Sequence, residues 1–387
     1  MDKKIFSVLF FSIFSAILGV GIVVPFLPVY AHDLGASGVY IALIFGAFSL
    51  SRAFFLPYFG RLSDIKGRKP FIMSGLLIYA LVSIAFFFSE DINSLIIIRF
   101  IQGIGSAMVL PVTHAYIGEI TPPGREGFAM GLFNISLYGG LSLGPLAGGI
   151  IKDRFNIQVT FGFMGIFALI ALILCISMLP SRSSEKHSLR RGKPQTYRNL
   201  LKDKLITSLF IFRMCYTTCI GIVWSFLPVL ADGEFALSSF LIGVLVMIGV
   251  LISGLLQTPM GYLADRVDKR NLIIIGGLLT AVAIFSLEFA NGFWDMLFSN
   301  IAYGLGGGIA MPALMAISVV KGNQMGSMGS IMALLTLGHT IGMFSGSLFA
   351  GIMMDLFGLH VVFYSGAIIM LLGVGIFYTL MMREEIN

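Results

Sequence analysis

Apolar residues fall in long blocks along this chain, and short polar segments separate them. The blocks have the length of about 20 residues that a helix needs to cross the hydrocarbon core of a bilayer. Apolar and polar residues do not alternate within the blocks as they do in barrel strands. The backbone groups of these blocks must therefore form their hydrogen bonds within helices. Twelve blocks begin near Ile5, Val39, Phe71, Leu95, Phe128, Val159, Leu205, Ser238, Asn271, Trp294, Met328 and His360. The pattern predicts an all-α polytopic membrane protein with twelve transmembrane helices.

The first block has the position of a signal peptide but not its form. Its apolar run is longer than an ordinary signal core, and it ends without a clear small-residue cleavage site. We therefore expect a retained first span. The three cysteines, Cys175, Cys215 and Cys219, lie inside apolar blocks without metal-ligand spacing. Neither a disulfide framework nor a metal site is predicted.

Charge is scarce and unevenly placed. Only 11% of the residues are charged, the mean hydropathy is +0.95 and the net charge is +6. Of 25 Lys and Arg residues, Arg52, Arg99 and Arg213 lie inside predicted spans, and Lys152 and Arg154 lie at one face of the membrane. The remaining 20 lie at the other face, together with both termini. The positive-inside rule makes that face cytoplasmic, so the basic excess indicates topology in a cell membrane and not nucleic-acid binding.

The two halves of the chain repeat each other. GIVVPFLPVYA at Gly21 matches GIVWSFLPVLA at Gly221, and RFIQGIGSAMVLPV at Arg99 matches NIAYGLGGGIAMPA at Asn300, at offsets of 200 and 201 residues. Parallel repeats of this kind place a substrate site at their interface. The predicted domains are an N-terminal six-helix bundle (1–180), a basic cytoplasmic linker (181–204) and a C-terminal six-helix bundle (205–387). The linker suits a solvated connection, which we favour, or contact with anionic lipid.

Three motifs carry a resemblance to a known family. Gly60-x-Leu62-Ser63-Asp64-x-x-Gly67-Arg68-Lys69 resembles the signature between spans 2 and 3 of the major facilitator superfamily, and Leu95-x-x-x-Arg99-x-x-Gln102-Gly103-x-Gly105 resembles its span-4 signature. The residues Gly131, Gly140, Gly144, Pro145, Gly148 and Gly149 have the spacing of the span-5 signature of its drug:proton antiporter branch. The resemblance covers essentially the whole chain. It implies two pseudo-symmetric six-helix bundles around a central cavity, and transport by alternating access.

The resemblance gives the first motif and its copy, GYLADRVDKR at Gly261, a role as cytoplasmic latches. In the family this segment holds the halves together on the cytoplasmic side, whereas a simpler interpretation is a topology anchor. We expect a tight turn between the spans, because Gly60 and Gly67 allow sharp backbone conformations. The two copies should differ in strength, because Asp268 stands where Gly67 does in the first. The latch residues are Gly60, Asp64, Gly67, Arg68, Lys69, Gly261, Asp265 and Arg266.

Five polar residues inside the spans are candidates for binding substrate or protons: Arg99, Gln102, Arg52, Arg213 and His339. A cation near the bilayer centre costs on the order of 2.5–3.5 kcal/mol, so Arg99 is expected to face a cavity or a partner, or else to snorkel to the headgroups. Arg52 and Arg213 lie close enough to a membrane face to snorkel. His339 titrates near neutral pH, so it could carry a proton or serve as a packing residue. No acidic residue falls clearly at the centre of a span, which weakens a polyspecific pump for cations.

The span-5 glycines lie mostly four residues apart, on one helical face, where small residues let another helix approach closely. They are expected either to seal the pathway at the domain interface or to pack static helices, and Pro145 favours a kink. Aromatic candidates for the cavity wall are Phe26, Tyr30, Tyr138, Trp224, Phe226 and Tyr303, with lipid-facing or interfacial placement as the alternative.

These observations predict a transporter and not an enzyme. No cofactor, phosphate-binding loop or nucleotide fold is indicated, because the glycine-rich segment at Gly304 lies within an apolar span. The expected function is proton-coupled export of small amphipathic molecules or drugs. The expected partners are a small-molecule substrate, protons as the coupling ion and the lipid bilayer. The alternatives are a proton-coupled importer of an organic anion or other metabolite, and a membrane receptor or scaffold that moves no solute.

Overall fold

The computed structural model describes residues 3–122, 126–180 and 197–385. These residues form fourteen α-helices joined by short connections. The helices are α1 (Lys3–Val23), α2 (Leu27–Asp33), α3 (Gly38–Lys66), α4 (Arg68–Phe87), α5 (Ile92–Ile120), α6 (Glu126–Arg154), α7 (Ile157–Met178), α8 (Tyr197–Leu200), α9 (Lys204–Gly233), α10 (Ser239–Ala264), α11 (Lys269–Ser286), α12 (Phe293–Gln324), α13 (Met328–Phe357) and α14 (Leu359–Glu385). A 3₁₀ turn, Leu287–Phe289, follows α11.

The prediction of twelve transmembrane helices is confirmed. Within the described ranges, eleven helical segments are long and apolar enough to cross a membrane, with α1 and α2 together forming the first. The twelfth is α6, which has 29 residues and is rich in glycine. The short α8 is not a span, because it has four residues.

A proline explains why the first span is divided and its counterpart in the second repeat is not. Pro25 lies in the turn between α1 and α2, and it has no N–H with which to continue the helix. The position that matches it 200 residues later is Ser225, and α9 runs through it without a break. Pro228 lies inside α9, and several other spans also contain a proline. Membrane helices tolerate proline because neighbouring helices can satisfy the backbone groups that it leaves without a partner.

The chain forms two compact units. Unit 1 contains α1, α2, α4–α7, most of α3 and the segment Asp232–Met247, which includes the first residues of α10. Unit 2 contains the rest of the described second half together with Ser37–Ala42, the start of α3. The predicted boundaries, 1–180 and 205–387, remain predictions. The linker residues 181–196 lie outside the described residues.

Buried apolar side chains from four helices fill the interior of unit 1. Leu9 and Ile13 of α1, Leu76 of α4, Val109 of α5 and Phe133 of α6 are all fully or almost fully buried. Lipid is as apolar as these side chains, so their contribution comes from close packing and not from escape from water. Close packing in turn requires that the helix backbones approach one another.

Glycines provide that approach at equivalent places in the two units. A Cβ atom on Gly75 would lie 2.7 Å from the carbonyl oxygen of Gly105, where α4 crosses α5. A Cβ atom on Gly276 would lie 2.6 Å from the carbonyl oxygen of Gly306, where α11 crosses α12. Both glycines of the second pair follow those of the first by 201 residues, so the sequence repeat is also a repeat of helix contacts.

The turn expected over Gly60–Pro70 is shorter than predicted, and this is a correction. Helix α3 continues through Gly60 and Asp64 as far as Lys66, and α4 begins at Arg68. Gly67 alone separates the two helices, with φ of +89°, a conformation that L side chains rarely adopt. In the second repeat Asp268 has φ of −63° and caps α11 by accepting a hydrogen bond from the Arg270 N–H at 2.9 Å. The change from glycine to aspartate therefore replaces a sharp turn with a helix cap.

We expect Gly276→Ala to destabilise the protein by about 1–3 kcal/mol, because the added methyl group forces α11 away from the backbone of α12. Gly375→Ala in α14 is the matched control, since a Cβ atom there meets nothing within 4 Å. The measurement is the fraction of detergent-solubilised protein that stays monodisperse after heating. Equal loss of the two variants on heating would contradict the role of Gly276 in helix packing.

Candidate functional site

Two of the five predicted candidates, Arg99 and Gln102, form a buried polar site inside unit 1. Their side chains are on consecutive turns of α5, and the residues are 3% and 1% exposed. The Arg99 guanidinium donates from Nη1 to the Gln102 Oε1 at 2.7 Å and from Nε to the carbonyl oxygen of Ile44 at 3.2 Å. Gln102 Nε2 lies 3.7 Å from the Sδ atom of Met164. The spacing of three residues on a helix brings the two side chains together.

Two aromatic rings of α3 complete the surroundings of Arg99. The guanidinium carbon lies 5.1 Å from the ring centroid of Phe45 and 4.6 Å from that of Phe48. Such cation–π contacts contribute on the order of 0.5–2 kcal/mol. Among the described residues, no carboxylate forms an ion pair with Arg99. The site is therefore a desolvated cation held by neutral groups, which suits binding of an anionic or strongly polar ligand group.

The equivalent positions in unit 2 carry no charge. Asn300 and Tyr303 follow Arg99 and Gln102 by 201 residues, and both are buried. Asn300 donates to the carbonyl oxygen of Met296 at 2.9 Å. The ring of Tyr303 stacks on that of Tyr216, with centroids 6.3 Å apart and planes at 8°. The repeat thus places a cationic site in unit 1 and an aromatic, neutral one in unit 2.

Unit 2 brings two other predicted residues together. Nη2 of Arg213, on α9, lies 3.4 Å from Nδ1 of His339, on α13. Nη1 of Arg213 lies 2.6 Å from the Sδ atom of Met311, on α12. Neutral imidazole accepts a hydrogen bond at Nδ1 when its other nitrogen carries the proton. Protonation at Nδ1 would remove that acceptor and place two cations side by side, so this contact is sensitive to a proton.

Arg52 does not join either site. It lies on α3, partly exposed, and makes no hydrogen bond or ion pair with the described residues. Its neighbour Ser51 is buried against Gly103 of α5, where an added Cβ would collide with the Ser51 hydroxyl. Close contact between α3 and α5 therefore occurs at Gly103, beside Arg52 and one turn from Arg99.

The basic motif at the start of α4 forms a network within unit 1. Nη2 of Arg68 lies 2.5 Å from Asp64 Oδ1 and 2.7 Å from Glu119 Oε1, and Nη1 donates to Ser63 Oγ at 2.6 Å. Lys69 donates from Nζ to carbonyl oxygens at the end of α7, where a cation is favoured by the helix dipole. Glu119 was not recognised as a partner from the sequence. The latch role of this motif remains a prediction.

The second copy of the motif makes different contacts. The Arg266 guanidinium lies 4.2 Å from the ring centroid of Tyr262 and also contacts its hydroxyl group. Asp265 follows the end of α10 and forms no ion pair or hydrogen bond within the described part of the chain. Gly261 is inside α10 and is not a turn residue. A single Arg–Tyr contact thus occupies the place of the four-residue network around Arg68.

The span-5 glycines pack α6 against α1 inside unit 1. A Cβ atom on Gly140 would lie 2.9 Å from the Leu18 nitrogen, and one on Gly144 would lie 2.7 Å from Gly21. A Cβ atom on Gly148 would collide with the Ile22 carbonyl group. Pro145 lies inside α6, and Gly131 has nothing within 4 Å of its Cβ position. Gly149 faces the first turn of α10 instead.

The six aromatic cavity candidates fall into two groups. Phe26 and Phe226 are fully buried, and Tyr303 stacks on Tyr216 as described. Tyr30, Tyr138 and Trp224 are partly exposed. Tyr30 donates from its hydroxyl group to the carbonyl oxygen of Ser89 at 2.9 Å. A role of these six residues in lining a cavity remains a prediction.

Comparison with known proteins places the fold and the motifs in one family. The sequence profile of the Major Facilitator Superfamily matches residues 9–233 and 209–387. The MFS-type transporter MJ1560 of Methanocaldococcus jannaschii is 30% identical over 93% of both chains. Multidrug resistance protein 2 of Bacillus subtilis is 27% identical over 100% of this chain and 97% of its own. The quinolone resistance protein NorA of Staphylococcus aureus is 28% identical over 92% of this chain and 91% of its own.

Solved structures with low sequence identity have the same fold. A bacterial homologue of the human lysosomal transporter Spinster has a TM-score of 0.83 at 13% identity, and the match covers 98% of this chain and 96% of that one. The human organic anion transporter MFSD10 has a TM-score of 0.68 at 17% identity, with coverage of 97% and 99%. At these identities the likeness concerns the fold alone. Together with the profile match, these relatives show that this multi-pass membrane protein belongs to the Major Facilitator Superfamily of transporters.

Proposed function

We propose that this transporter is a proton-coupled exporter of small amphipathic molecules, neutral or anionic, that works by alternating access. Two curated relatives that span almost the whole chain are named for multidrug and quinolone resistance, which supports export. The structural observation that carries the choice of substrate charge is the buried Arg99, which has no carboxylate partner among the described residues. A cationic drug would meet repulsion there, whereas a carboxylate or carbonyl group would gain charge-assisted hydrogen bonds.

The Arg213–His339 contact supports proton coupling. Among the candidates inside the spans, His339 is the one histidine, the residue type that ordinarily takes up a proton near neutral pH, and its Nδ1 lies 3.4 Å from a guanidinium. Moving one charge across the membrane yields about 2.3 kcal/mol per 100 mV. A tenfold substrate gradient requires roughly 1.4 kcal/mol, so inward flow of one proton is sufficient for it. We place the termini and the Arg68 network at the cytoplasmic face on the basis of the positive-inside distribution of charge.

A second candidate is a proton-coupled importer of an organic anion. The same buried cation favours it, because Arg99 would bind an anion entering from either side. Proteoliposomes with an imposed pH gradient distinguish the two. A proton-coupled importer accumulates a labelled organic anion when the outside is acidic, whereas a proton-coupled exporter accumulates its substrate when the inside is acidic. A protein that is folded and moves no solute in either assay would instead be a receptor or scaffold with a transporter fold.

The first expected outcome concerns Arg99. Cells that express the protein should accumulate less of an anionic or neutral amphipathic dye, and a protonophore should abolish the difference. Arg99→Ala should remove most of the dye export, and Arg99→Lys should retain part of it, because lysine keeps the charge without the planar donor geometry. Arg198→Ala, on the exposed face of α8, is the matched control. If Arg99→Ala exports dye at the normal rate, the Arg99 site is not the substrate site.

The second expected outcome concerns His339. His339→Gln keeps a hydrogen-bond acceptor for Arg213 but cannot take up a proton. Proteoliposomes with this variant should exchange labelled substrate for unlabelled substrate at close to the normal rate. They should lose most of the accumulation that an imposed pH gradient drives. His32→Gln, at an exposed histidine of α2, should lose neither activity. Full pH-driven accumulation by His339→Gln would place the proton-carrying group elsewhere.

A further inference from the structure

Asp153, at the end of α6, caps the beginning of α10 within unit 1. Its Oδ1 accepts a hydrogen bond from the Ser239 N–H at 2.9 Å, and its Oδ2 accepts one from the Phe240 N–H at 2.8 Å. Ser239 is the first residue of α10, so both donors belong to the group of helix N–H atoms that have no partner inside the helix. A carboxylate is favoured at this end by the helix dipole.

Asp355, at the end of α13, makes the same arrangement within unit 2. Its Oδ1 accepts a hydrogen bond from the Gly38 N–H at 2.6 Å, and its Oδ2 accepts one from the Val39 N–H at 3.0 Å. Gly38 is the first residue of α3. Asp355 follows Asp153 by 202 residues and Ser239 follows Gly38 by 201, so the two caps are equivalent in the repeat. No motif in the sequence had indicated either aspartate.

Close backbone packing accompanies each cap. A Cβ atom on Gly149, one turn before Asp153, would collide with the Ser239 carbonyl group. A Cβ atom on Gly351, one turn before Asp355, would collide with the Gly38 carbonyl group. Each aspartate thus works with a glycine one helical turn away, and together they fix the end of one helix on the start of another.

Each of the two capped helices begins in one unit and continues in the other. Helix α10 starts in unit 1, and the chain passes into unit 2 after Met247. Helix α3 starts in unit 2, and the chain passes into unit 1 after Ala42. Each cap therefore holds the first turns of a helix whose remainder belongs to the other unit. The alternation of helix direction puts both caps at the end of the spans opposite the Arg68 network, which is the outer face in the proposed topology.

We propose that Asp153 and Asp355 are a matched pair of outer gate residues, whose backbone caps hold the outer side closed and are released when the transporter opens outward. This inference rests on the proposed alternating-access function. Both aspartates are exposed, so water can take the place of the helix N–H groups when the caps break. Release is therefore reversible, which a gate requires and a buried ion pair would oppose. Because the two caps are equivalent in the repeat, full opening requires both to break. If only one breaks, the other half of the gate stays closed.

The test measures opening directly and does not depend on transport. Ser239→Cys and Ala42→Cys serve as separate reporters, because these residues are 7% and 1% exposed beside the two caps. The natural cysteines Cys175, Cys215 and Cys219 are buried and provide the background rate. Intact cells are treated with a membrane-impermeant maleimide, and the rate of labelling of each reporter is measured.

Asp153→Asn should raise the labelling rate of the Ser239→Cys reporter, and Asp355→Asn should raise that of the Ala42→Cys reporter. Asparagine keeps one acceptor oxygen but removes the charge that the helix dipole favours, so we expect each rate to rise by about 2- to 5-fold. Asp295→Asn is the matched control. Asp295 lies at the same face and accepts a hydrogen bond from the Asn291 N–H at 2.9 Å. This contact is local to the start of α12 and joins no second helix, so the Asp295→Asn variant should leave both rates unchanged.

Unchanged labelling in both aspartate variants, with normal amounts of protein in the membrane, would overturn the gate assignment. If one variant fails to reach the membrane, its mate with the other reporter provides the same test. A rise in labelling that Asp295→Asn reproduces would also overturn it, because the effect would then be general loosening of the outer face. Increased labelling without any solute transport would support the gate assignment and contradict the proposed function. Proton-driven export with unchanged labelling would support the proposed function and contradict the gate assignment.

Discussion

The absence of hydrogen-bonding partners in the hydrocarbon core governs this structure. It requires every spanning backbone to be helical, and it leaves polar side chains to find partners within the protein. Thr113 donates back to the carbonyl oxygen of Val109 at 2.8 Å, and Arg99 donates to that of Ile44. Acidic residues concentrate at helix ends, where Asp91 caps α5 and Asp268 caps α11. Hydrogen bonds from Ser94 hold the pKa of Asp91 below its usual value.

The same constraint separates what the two repeats share from what they do not. Packing of helices in lipid depends on small residues, so glycine contacts such as Gly75–Gly105 recur as Gly276–Gly306. The polar residues of the candidate site do not recur, because Asn300 stands where Arg99 does. The scaffold and the proposed gate are thus symmetric, whereas the chemistry of the candidate site differs between the units. A transporter can in this way keep one mechanism of movement while its binding residues change.

The positions of the spans could be predicted from the sequence because hydrophobic length is a local property. The end of α3 could not be predicted, because the charged residues between Gly60 and Lys66 have the composition of a turn. In the structure they continue the helix, since long side chains can extend to water at a membrane face while the backbone stays helical. Charged residues in a membrane helix thus indicate the position of the membrane face, but they do not indicate the end of the helix.

The amino-acid sequence by itself determined the twelve helices, the repeat, the family motifs and the presence of a cation inside a span. These follow from composition and from spacing along the chain. The spacing of three residues between Arg99 and Gln102 is also local, although their hydrogen bond was found only in the structure. Only the tertiary structure decided which distant residues meet. Arg213 and His339 are 126 residues apart, and Asp153 reaches α10 across 86 residues. Such contacts depend on the rotation and depth of each helix against its neighbours, and a bilayer that accepts any apolar face leaves both to be set by packing.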